Sequence, residues 1–142
     1  MSATEPTIIE RSAEKTHVWL NELSDELGVD DRHYAYRALR GVLHALRDRL
    51  TVDIAAKFAA QLPTLIRGIY YEDWDPSRTP IPIHDVEAFL ERVVHEARLE
   101  GETEASVAVS AVMRVLQHHL TPGAIDDVRA VIPEKLKTLV AA

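Results

Sequence analysis

The stretch Ala35-Tyr36-Arg37-Ala38-Leu39-Arg40-Gly41-Val42-Leu43-His44-Ala45-Leu46-Arg47-Asp48-Arg49-Leu50-Thr51 decides the fold, because a second version of it stands 70 residues further on. That version, residues 105–121, keeps Ala35, Ala38, Val42, Leu46, Leu50 and Thr51 as Ala105, Ala108, Val112, Leu116, Leu120 and Thr121. The kept apolar positions recur three and four apart. With Leu39 and Leu43 they make one wide apolar stripe of an amphipathic helix. Working outward at the same offset, Trp19–Tyr70 aligns with Phe89–Val140 without a gap, and ten of the 52 pairs are identical. Mean residue frequencies give roughly 3 by chance. Leu20/Leu90, Glu26/Glu96, Ala60/Ala130 and Pro63/Pro133 complete the identities, and Trp19/Phe89, Leu23/Val93 and Leu43/Met113 are conservative.

The punctuation between stripes is helical too. A first helix carrying Trp19, Leu20, Leu23 and Leu27 stops at Gly28, which has no Cβ to oppose a left-handed C-cap. Asp30 or Asp31 is placed to cap the next helix, and Thr51 and Thr121 to cap the ones after. Pro122 suits a first helical turn, where no N–H is needed. Ile54, Ala55, Phe58 and Leu62 make a short third stripe, which Pro63 ends by disfavouring helical geometry in Leu62. Leu65, Ile66, Ile69 and Tyr70 make a fourth. No segment alternates as a strand does. The expected fold is all-α: two tandem copies of a roughly four-helix unit, packed as one compact pseudo-symmetric helical domain over 1–142 and related by a pseudo-twofold or a solenoid-like step. The first repeat covers about 16–71, a proline-rich linker 72–82, and the second repeat about 83–141. In the linker, Pro76, Pro80 and Pro82 favour extended chain. Trp74 is expected to pack back on the helices, where burial is worth roughly 2–3 kcal/mol; its alternative role is an exposed recognition aromatic.

Composition narrows the function classes. The 142 residues are 46% hydrophobic and 27% charged, as in ordinary globular proteins. No secretory h-region and no apolar run of spanning length is present, so a cytoplasmic location without membrane association is expected. Cysteine is absent, which removes disulfides, thiolate nucleophiles and cysteine metal sites. The net charge is −7, distributed as −5 over residues 1–30, +3 over 31–50 and −7 over 71–104. An acidic chain is a poor nonspecific binder of nucleic acid or anionic membrane.

Three phrases carry a resemblance. Tyr36-Arg37-Ala38-Leu39-Arg40-Gly41-Val42-Leu43, then Ala60-Gln61-Leu62-Pro63 with Ile66-Arg67, then Tyr71-Glu72-Asp73-Trp74-Asp75-Pro76 resemble a bacterial family known only as domain of unknown function 2267. The likeness runs from about Thr16 to Leu139. It implies no activity, cofactor or active site. The second copy reads Ala130-Val131-Ile132-Pro133, so any role of Gln61 belongs to one copy only.

Catalytic constellations are not apparent. His95-Glu96 opens like a zincin motif, but position 99 is leucine. Glu91 and His95 supply two ligands where a site needs more. The doublet His118-His119, about 100° apart near a helix C-terminus, reads as solvated or capping histidine. The serines lack a nucleophile elbow, and the five glycines are scattered. Carboxylate pairs such as Asp30-Asp31 and Asp126-Asp127 fall at helix starts and on solvated faces. No enzyme activity, cofactor or metal is therefore expected. The one candidate surface is a basic face on the second helix: His33, Arg37, Arg40, His44 and Arg47 lie within about 80° of one another on the helix wheel. It reads either as a solvated face paired with carboxylates such as Glu22 and Asp25, or as an anionic-partner surface. The candidate partner-binding residues are Arg37, Arg40, His44, Arg47 and Trp74. The expected function is a non-enzymatic interaction or regulatory module that binds a protein partner or itself. Nucleic-acid binding through the same basic face and a small-molecule enzyme are the alternatives.

Overall fold

A computed structural model describes residues 6–140. Among them are eight α-helices and no strand: α1 Thr7–Leu27, α2 Arg32–Arg49, α3 Val52–Ala59, α4 Thr64–Tyr71, α5 Val86–Ala97, α6 Glu102–His119, α7 Pro122–Val131 and α8 Lys137–Val140. Short 3-10 turns at Pro76–Arg78 and Glu134–Leu136 lie in the linker and before α8.

The helix ends follow their residues. Gly28 closes α1 at φ 70°, and Asp31 caps α2 by accepting from the backbone N–H groups of His33 and Tyr34. Thr51 and Thr121 accept from Ile54 N–H and Ala124 N–H. α5 ends on Arg98, a non-glycine residue in the left-handed region at φ 58°. α1 begins well before the expected boundary near residue 16, and its first nine residues are largely solvent-facing.

One core runs from Trp19 to Val140 and draws on all eight helices. Val42, Val112, Leu46 and Leu116 are all buried. α2 is central, packing against α1, α4, α5 and α6, and every residue from Gly41 to Leu50 is buried. Gly41 permits the closest crossing: a Cβ there would meet Ala97 Cβ at 2.4 Å and its backbone at 2.7 Å. No helix among the described residues is long and apolar enough to cross a membrane.

Candidate functional site

The basic stripe of α2 is not an exposed surface, and this corrects the expectation. Arg47 and His44 are each 1% exposed, enclosed where α4 and α5 pack against α2. Arg47 donates to Tyr70 O (2.7 Å), Glu72 O (2.6 Å) and Asp48 Oδ1 (2.8 Å). His44 Nε2 donates to Ile69 O at 2.7 Å. The two side chains tie down the end of α4, where helix carbonyls lack intrahelical partners. Arg40 faces Glu72 and Asp73 at 3.3 and 3.5 Å, and Arg37 donates to Ala97 O at 3.3 Å. The cations thus bind this chain's own carbonyls and carboxylates, and the carboxylates are not Glu22 and Asp25. Trp74 is half-buried against Tyr71, ring centroids 5.3 Å apart. It packs back on the helices, as expected.

The open concave surface lies elsewhere. A groove of about 630 Å³ runs between the first half of α1, the α3–α4 junction and the last turn of α6. Trp19, Leu62 and Pro63 form its apolar floor, Ile8 and Val18 stand on its rim at 62% and 54% exposed, and Arg11, Lys15 and Arg67 contribute positive charge. No lining residue carries a carboxylate. Gln61 and Thr64 supply polar atoms. Arg67 is held in place by Ala59 O and Leu62 O, both at 2.9 Å. The wall is therefore built by the Ala60-Gln61-Leu62-Pro63 phrase and the arginine after it. A family model described as an uncharacterized conserved protein, DUF2267, matches residues 16–139, the span that carries this phrase. The chain belongs to the DUF2267 family. A search of the curated proteins gave no match.

At one end of the groove the DUF2267 chain gathers three ligand-type side chains. Glu22 of α1 meets both members of the α6 doublet: His119 Nε2 lies 2.5 Å from one carboxylate oxygen, and His118 Nδ1 contacts the other. The His119 ring stacks on Trp19, centroids 4.8 Å apart and planes 20° from parallel. Burial raises the Glu22 carboxyl, but hydrogen bonds and positive charge from His119 and His118 outweigh it and hold it below the ordinary carboxylate range. The sequence offered the doublet but not its partner, 96 residues away. A usable signal lies at the 70-residue offset: Glu22, His118 and His119 correspond to Arg92, Asp48 and Arg49, where Arg92 Nη2 donates to Asp48 Oδ2 at 2.9 Å. The offset thus pairs position 22 with position 118.

Proposed function

We propose that this chain is a non-enzymatic interaction module whose groove takes an acidic, amphipathic helical segment of a partner protein. The observation that carries this is the groove itself: an apolar floor and rim flanked by three cations, with no lining carboxylate, in a chain of net charge −7. An amphipathic helix would lay its apolar face on Trp19, Leu62 and Val18 and its carboxylates against Arg11 and Lys15. The test is a fluorescein-labelled peptide with leucine at i, i+3, i+4 and i+7 and glutamate between. Its anisotropy should rise on adding the chain, with salt weakening the complex. The Trp19 indole resonance should move and that of Trp74 should not. Arg11→Glu with Lys15→Glu should weaken binding by roughly tenfold or more, about 1.4 kcal/mol. Absence of binding, or binding untouched by the double reversal, rejects the reading.

The same proposal includes the chain's ancestry: two tandem copies of a four-helix unit turned about a pseudo-twofold axis. Positions 70 apart share their punctuation. Gly28 and Arg98 both have positive φ, Asp31 and Gly101 both occupy N-caps, and so do Thr51 and Thr121. Tyr34 Oη donates to Glu104 at 2.6 Å, and Lys57 Nζ lies 3.0 Å from Asp127, so corresponding positions touch each other twice. Such self-pairing occurs beside a twofold axis and not along a translational stack. α1 packs on α6 as α5 packs on α2, the exchange a twofold requires. The groove belongs to one copy. At the corresponding place in the other, linker residues come in, with Ile81 N–H donating to Asp48 O at 2.8 Å and Arg49 Nε to Ile83 O at 2.7 Å. A crystal structure whose halves superpose by a rotation far from 180° would reject the twofold.

A further inference from the structure

We propose that Glu22, His118 and His119 form a binding site for one divalent transition-metal ion of the Zn²⁺ class. The three donor atoms, one carboxylate oxygen and two imidazole nitrogens, lie within 4.8 Å of one another. Carboxylate with imidazole is a donor set that suits zinc and its neighbours and not the hard, all-oxygen cations. An ion held at about 2.1 Å by each donor would set them roughly 3.4 Å apart in a tetrahedral site. The 2.5 Å separation of His119 from Glu22 then opens by roughly 1 Å, within the reach of a small side-chain rotation. The His118 side chain is 69% exposed, whereas those of Glu22 and His119 are 25% exposed. The ion would enter from solvent and keep at least one coordination position open for water or a ligand. Trp19, stacked on His119, limits the rotation of that ring, the kind of outer support that orients metal-bound imidazoles.

The competing account is a tie between α1 and α6. That tie already exists one turn along, where Arg114 Nε donates to Glu26 at 2.7 Å. At the corresponding place 70 residues away the fold uses a permanently charged pair, Arg92 with the buried Asp48. Only the Glu22 side carries imidazoles, whose lone pairs bind a cation.

The test uses the full chain, stripped with chelator and titrated with Zn²⁺ in a calorimeter at neutral pH. One ion per chain is expected. Glu22→Gln and His118→Ala should each lower the affinity at least tenfold, whereas His95→Ala, on another helix, should leave it unchanged. A second readout is Ni²⁺ quenching of Trp19 fluorescence in a Trp74→Phe background, abolished by Glu22→Gln. Retained helical circular dichroism in Glu22→Gln and His118→Ala keeps the test valid even if His119→Ala disturbs the Trp19 stack. No Zn²⁺ uptake, or equal uptake by Glu22→Gln, overturns the proposal. It is independent of the groove reading: peptide binding can fail while Zn²⁺ binds, and the reverse.

Discussion

Arg47 carries a permanent charge into the interior, and only three acceptors make that tolerable: two carbonyls at the end of α4 and the Asp48 carboxylate. Truncation would leave those carbonyls unpaired and Asp48 with Arg92 alone. Arg47→Ala is expected to cost about 3–5 kcal/mol in urea unfolding, the range for breaking a buried charged network. Arg47→Lys should recover little of it, since an ammonium does not reproduce the guanidinium fork. His44 makes a second prediction. Burial pushes its imidazole below the ordinary value of 6.5; the hydrogen bond to Ile69 O opposes this, and Arg47 and Arg40 add to it. Below pH 6.5 the unfolded chain takes up a proton that the folded chain refuses. The His44 contribution is therefore full above about pH 6.5 and lost as pH falls through the folded value. Thermal melts from pH 7 to pH 5 should show this decline, and His44→Gln should flatten it. The sequence placed both residues on the right helical face but said nothing of what covers that face. Periodicity reports which side chains share a side of a helix; tertiary packing decides whether that side meets water.

Helix boundaries were the most legible part of the sequence, because caps act within four residues. Gly28, Asp31, Thr51 and Thr121 each stop or start a helix by a local interaction. The early start of α1 was not legible, since no apolar stripe precedes Trp19 and the exposed Ile8 and Ile9 follow no core-facing period. That extension supplies one wall of the groove, so the site was obscured along with it. Arg98 marks a place where residue and backbone disagree. It takes at the end of α5 the left-handed conformation that Gly28 takes at the end of α1. A left-handed non-glycine residue costs roughly 1–2 kcal/mol, partly offset by the greater freedom that glycine gives the unfolded chain. Arg98→Gly should therefore raise stability by about 0.5–1 kcal/mol, read as a higher denaturation midpoint at unchanged slope.

Across the whole molecule the core is continuous and α2 touches helices from both halves, so neither half is expected to melt alone. Trp19 fluorescence in a Trp74→Phe background and helical circular dichroism should trace one coincident unfolding curve. Two separated transitions would show that the halves are independent. The all-helical class was readable from the sequence because stripe and caps repeat. The meeting of Glu22 with His118 and His119 was not, because pairing across about a hundred residues leaves no local trace. The Lys57–Asp127 and Tyr34–Glu104 contacts have one more consequence on the duplicated reading. Two identical chains arranged around such an axis would be forced to set lysine against lysine and tyrosine against tyrosine at these seats. Covalent fusion lifted that constraint and let each seat acquire an opposite. The seam now distinguishes left from right, and a first half expressed alone would find its own twin a poorer companion than the half it is joined to.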